Sequence, residues 1–197
     1  VFGVAALVTI CSMPLNNLLG YINRLIKLPP SLHPLEELMQ SMEESSAQAL
    51  QVLLDTSDVG LLLLNIFIIA ILAGIGEEFT FRGVLQGLLT SDKFGSSRAI
   101  PHMAIWATAF LFSAIHMQFY GFIPRLVLGA VLGYMVVWSG SLWLPIIGHA
   151  TNNAIAVVTY FVCQRLGMDS AYADNLGTGD TLWLGIVSGV VIVGLIY

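Results

Sequence analysis

The run VGLLLLNIFIIAILAGIGEEFTFR, residues 59–82, decides how the rest of the chain is read. Residues 59–76 carry no charge, and then Glu77 and Glu78 stand side by side with Arg82 four positions after the second. About 20 apolar residues are needed to cross a hydrocarbon core of roughly 30 Å, so the run predicts a membrane-crossing helix. Ionisable side chains at that depth cost several kcal/mol unless they are paired or face a wet cavity, which makes them functional candidates by default. Without an intervening proline the helix is expected to continue to about Leu89, roughly 45 Å at 1.5 Å per residue. A turn is expected at 90–97, where Asp92, Gly95 and serines cluster.

The surrounding chain agrees with this reading. Of its 197 residues 57% are hydrophobic and only 10% charged, with a mean hydropathy of +0.86, whereas a water-soluble domain carries roughly a quarter charged residues. Spans are expected at 1–21, 59–76, 99–117, 122–138, 142–162 and 181–197. The first and last begin or stop inside apolar sequence, as expected of a chain cut from a longer protein. The expected fold is all-α: a polytopic transmembrane helical bundle forming one domain over 1–197, with its active site inside the membrane. That makes it a multi-pass integral membrane protein, in a bacterium a protein of the cell membrane. The formal charge of −5 and the lack of a basic cluster exclude nucleic acid as a partner. Cys11 and Cys163 sit far apart in apolar surroundings and read as buried small side chains. Between the first two spans lies a polar insertion, 23–58, whose Leu35, Leu38, Met39, Met42, Leu50 and Leu53 fit an amphipathic helix with Glu36, Glu37, Glu43 and Glu44 on its wet side. It reads as a solvated cap over the bundle, or as a substrate gate or partner surface.

Residues four apart share a helix face, so Glu78 and Arg82 are expected to pair while Glu77 projects about 100° away. The two glutamates then divide their work. Glu78 holds the arginine, and Glu77 is the one suited to accept a proton from water. Phe112 and His116 are also four apart, so the ring can orient the imidazole, with a bend expected at Met117 and Gln118. Counted from the turn at 90–97, Glu77 and His116 lie roughly 21 and 27 Å along their helices and can share a level. His149 and Asn153 repeat the spacing in GHATNN. An imidazole and a carboxamide on one face supply two donors for the negative charge that develops when water attacks an amide carbonyl. Asn152, on the neighbouring face, reads as polar glue between helices.

EEFTFR, FSAIH and HATNN together resemble the three motifs of the CPBP family, the CaaX proteases and bacteriocin-processing enzymes, written EExxxR, FxxxH and HxxxN/D. The resemblance covers 59–161, about half of the chain. It implies a membrane-embedded, glutamate-dependent endopeptidase similar to the type II CaaX prenyl proteases, acting on a protein or peptide substrate that can be lipidated at its C-terminus. In that family likeness Glu77 and His116 activate water, Glu78 and Arg82 support the site, and His149 with Asn153 holds the oxyanion. The acidic insertion matches none of these motifs.

Hydrolysis by glutamate-activated water needs no cofactor. The zinc alternative needs three protein ligands at about 2.0–2.2 Å, for which Glu77, His116 and His149 are the candidates; no HExxH helix is present, and Arg82 opposes a cation nearby. A proton-coupled transporter would also bury Glu, His and Arg, but the paired broken helices and internal repeat expected of one are not visible. A non-catalytic membrane scaffold, or a bacteriocin-immunity-type protein, is the remaining alternative; loss of Glu77, His116 or His149 would mark it, and all three are present.

Overall fold

The computed structural model describes residues 2–90, 99–168 and 175–196, and no strand occurs among them. The helices are α1 (Phe2–Leu25), α2 (His33–Leu54), α3 (Val59–Leu89), α4 (Ala99–Ala114), α5 (Phe122–Ser139), α6 (Trp143–Leu166) and α7 (Leu182–Ile196). Beyond Thr90 the expected turn lies outside the described residues. Four helices, α1, α3, α5 and α6, are long and apolar enough to cross a membrane. The other two expected spans form helices of 16 and 15 residues. α4 stops at Ala114, short of the expected 117, because the chain turns there and Met117 takes a left-handed φ of 53°. Ser139–Ser141 forms the expected turn, closed by Gly140 at φ 65°, a conformation that costs glycine little.

Polarity is arranged inside out. Glu78, Arg82, Asn23, Thr9 and Thr108 are buried, whereas Leu63, Phe67, Met103 and Val190 are exposed. A bundle surrounded by lipid gains nothing by hiding leucine and associates instead through small residues and interhelical hydrogen bonds. Cys163 is buried as expected, but Cys11 is exposed. It lies on the outward face of α1 with Leu7 and Ile10, where an apolar side chain faces the surroundings of the bundle.

α3 is seated on α5 by a ladder of polar contacts one helical turn apart. Arg82 Nη2 donates to Gly129 O at 2.9 Å and Gln86 Nε2 to Gly133 O at 3.1 Å. Only glycine permits this approach, since a Cβ at Gly133 would meet Gln86 Oε1 at 2.8 Å and Ile105 Cγ2 at 2.9 Å. Gly133→Ala is therefore expected to destabilise the bundle by about 1–3 kcal/mol, the usual cost of overpacking, read as a lower melting temperature in detergent. An unchanged melting temperature would mean that the two helices are not held this closely. On its other side α3 touches α6 just as closely: a Cβ on Gly74 would lie 3.3 Å from Ala150 N, next to His149.

The predicted amphipathic helix forms as α2, and most of its surface is exposed. Polar tethers hold it at both ends. Asn65 Nδ2 donates to Leu53 O at 2.7 Å and the Gln164 amide donates to Asp55. Toward its start, Glu43 Oε2 accepts from Tyr120 N at 2.9 Å and Gln40 Nε2 donates to Tyr120 Oη at 3.0 Å. α2 thus straps the α4–α5 loop, which carries His116 and Gln118.

Candidate active site

Along α3 the backbone is not uniformly α-helical. Ile66–Leu72 and Phe79–Gln86 are π-helical, and they bracket the α-helical Ala73–Glu78 that presents the glutamates. Such widened turns recur at functional sites because they shift the side-chain register locally.

Glu78 is the hub of the ionised groups. Its Oε1 accepts from Arg82 Nη1 at 2.9 Å, and both side chains are fully buried. The same oxygen meets His149 Nδ1 at 2.7 Å. A carboxylate oxygen only accepts, so Nδ1 carries the proton and Nε2 is the free nitrogen of the ring. That Nε2 lies 3.7 Å from Glu77 Oε2, too far for a direct hydrogen bond. Glu77 Oε2 is buried and has no hydrogen-bond partner among the described residues, while the Glu77 side chain as a whole is about one-third exposed. It makes no close ion pair like that of Glu78. The two glutamates differ in surroundings, as their spacing relative to Arg82 anticipates.

Phe112 joins the motifs. Its buried ring lies under the Arg82 guanidinium, 4.5 Å from Cζ to ring centroid, and meets His116 and His149 edge-to-face at 5.0 and 5.9 Å. Both imidazoles therefore converge on one aromatic ring beside the glutamates. His116 Nδ1 lies 2.7 Å from Phe112 O. A carbonyl can only accept, so this nitrogen is the donor and Nε2 of the neutral ring keeps its lone pair. The loop after His116 is pinned from three directions. Asn23 Nδ2 donates to Phe119 O at 2.9 Å, Ser113 Oγ to Phe122 O at 2.7 Å, and Tyr120 N to Glu43 as above.

Asn153 follows His149 by one turn of α6. Its Nδ2 donates to Ile69 O at 3.0 Å on the first π-helical stretch of α3, and its Oδ1 accepts from Asn152 at 3.2 Å. The pair ties α6 to α3 two turns before Glu77. The site therefore brings together Glu77, Glu78, Arg82, His116 and His149, with Asn153 bracing its edge. Sequence reasoning missed Gln86 and the reach of Phe112 to Arg82 and His149. For Gln86 a signal existed: Glu78, Arg82 and Gln86 recur every four residues in an apolar helix, opposite a Gly129–Gly133 pair at the same interval. Among the described residues no three His, Cys, Asp or Glu side chains are grouped to hold a metal. His149 Nδ1 is bonded to Glu78 and His116 Nδ1 to a carbonyl, which leaves the Nε2 of each ring free.

With this geometry in place, comparison with known proteins gives one family. The family model described as type II CAAX prenyl endopeptidase Rce1-like matches residues 59–155. Over that segment, just under half of its length, the chain is similar to this family. The Rce1-like segment contains all six residues singled out from the sequence, from Glu77 to Asn153, and with the four long apolar helices it makes the chain an integral membrane protein. Over 104 residues the chain is 28% identical to the uncharacterized protein YpbD of Bacillus subtilis (strain 168), an alignment covering 51% of this chain and 45% of YpbD. The chain thus spans under half the length of the curated relative it matches. No solved structure matches it.

Proposed function

We propose that the chain is an intramembrane endopeptidase that hydrolyses a peptide bond with water activated by Glu77 and His116, and that its substrates are membrane-borne proteins, including those lipidated at their C-terminus as the family description implies. The observation that carries this reading is the unpartnered, buried Glu77 Oε2 held 3.7 Å from His149 Nε2, beside a ring that both imidazoles touch. A water between Glu77 and His116 gives one hydrogen bond to the carboxylate and one to the Nε2 lone pair. As its oxygen attacks the carbonyl carbon, Glu77 takes the proton and later returns it to the leaving amine. The developing oxyanion is met by His149 Nε2, which donates to it when the ring carries both protons. Arg82 holds the Glu78 side chain in place. Asn153 acts as a positioning residue, keeping α6 and hence His149 in register with α3.

The test is turnover of a peptide by the purified protein in lipid, for the parent and for His116→Ala and His149→Gln. Each substitution is expected to lower kcat by roughly 10²–10⁴-fold, the range for a lost acid–base or oxyanion group, with thermal stability little changed for His116→Ala. Activity is expected to survive dialysis against a chelator. Loss of activity on chelation with recovery on adding zinc would instead select the zinc version of the same hydrolysis, and unimpaired His116→Ala and His149→Gln proteins would remove the proposal.

A further inference from the structure

Arg82 is neutralised by Glu78, but the site has a second arginine that the mechanism above does not use. Arg125, in the first turn of α5, donates through Nη2 to the Gln118 side chain, two residues beyond His116. Its guanidinium lies against the backbone of Gly121, where a Cβ would come within 3.2 Å of Nη2 and 3.5 Å of Nη1. This cradle fixes the fork. Nη1 is buried and has no hydrogen-bond partner among the described residues. Its charge is felt at His116, and the carboxylates whose charges reach it are Glu43 of α2 and Glu77. Neither is hydrogen-bonded to it. A buried guanidinium with an open donor is costly to leave so and binds best to a carboxylate, which matches its geometry.

We propose that Arg125 is the anion anchor of the site, receiving a carboxylate of the bound peptide and so fixing which bond lies at Glu77. This rests on the peptidase reading and names the substrate feature that the site selects. The carboxylate has two possible sources, the C-terminus of the peptide or an acidic side chain near the cleaved bond. The C-terminus is favoured, since it is the anion that an otherwise apolar segment still carries into a membrane.

The experiment measures binding rather than cleavage, so that it stands apart from the peptidase reading. Fluorescein-labelled apolar hexapeptides with a free C-terminal carboxylate, with a C-terminal amide, and with the amide plus one internal Asp are titrated against Glu77→Gln protein in nanodiscs. The free acid is expected to bind about tenfold or more tightly than the amide, as a charge-assisted hydrogen bond implies. Adding Arg125→Gln is expected to abolish that preference, while Arg125→Lys retains part of it; melting temperatures of both variants confirm that the fold persists. Preference for the internal Asp peptide, lost in Arg125→Gln, would keep the anchor and assign the side chain as its source. Equal binding of all three peptides, or a preference for the acid that survives Arg125→Gln, would overturn the proposal. The same preference in a parent protein, with Glu77 intact, that cleaves none of the peptides would sink the peptidase reading and leave the anchor standing.

Discussion

Replacing Glu77 by Gln is expected to remove peptide cleavage, lowering kcat by at least about 10³-fold, while the protein melts within about a degree of the parent. The amide keeps the size of the side chain but cannot take a proton from water, and general-base catalysis alone is worth roughly 10²–10⁴-fold. Stability is expected to hold because Glu77 is one-third exposed and lies 3.7 Å from its nearest ion-pair partner, beyond hydrogen-bond range. Kinetics in lipid vesicles and a thermal scan of the same preparation check both halves. Full turnover by this variant would reassign the base, and His149, whose Nε2 faces the same space, would be the first alternative to examine.

Glu78→Gln is expected to behave in the opposite way, with instability as its main effect. One oxygen of Glu78 serves both Arg82 and His149, at 2.9 and 2.7 Å, in a place from which water is excluded. The substitution removes the charge and leaves the guanidinium buried without a counter-ion. Breaking a buried pair from one side costs about 3–5 kcal/mol, a large share of the stability of any domain. Activity is expected to fall as well, because His149 loses the acceptor that fixes its ring. The check is the melting temperature in detergent; a variant as stable as the parent would show that Glu78 and Arg82 are not the electrostatic core of the bundle.

The contrast between these two neighbours was legible before any coordinates. Four-residue spacing places Glu78 and Arg82 on one face and leaves Glu77 off it, and the pair forms as that spacing requires. The helices also fall where apolar stretches of sufficient length lie, and the amphipathic insertion forms the helix that its leucines and glutamates describe. What the sequence could not show depends on contacts between distant segments. Glu78 reads as the partner of Arg82 alone; that it also receives His149, 71 positions away, follows only from the packing of α6 on α3. Asn153 reads as a donor beside His149 because the two share a face; that one of its two amide protons goes to a nearby backbone carbonyl, that of Ile69, is not part of that pattern. Local spacing does not reveal that bond. Nor does composition reveal the two π-helical stretches, which arise within an uninterrupted apolar helix with no proline to mark them. Nor does local sequence show where the chain goes after α4 ends: it turns at Met117, and beyond that turn the Phe119 and Phe122 carbonyls are bonded by Asn23 and Ser113.

The division of roles also frames what α2 does. Its acidic side chains reach the loop that carries His116, and Glu43 is one of the two carboxylates felt at Arg125. The insertion is therefore part of the surroundings of the site, although none of the recognisable motifs falls within it.

The most direct measurement is a comparison of protein C-termini by mass spectrometry in membranes from cells making the parent or the Glu77→Gln protein at equal levels. The parent is expected to generate a set of new C-termini that is missing when Glu77 is replaced. Identical sets from the two proteins would contradict the claim that Glu77 activates water to split a peptide bond.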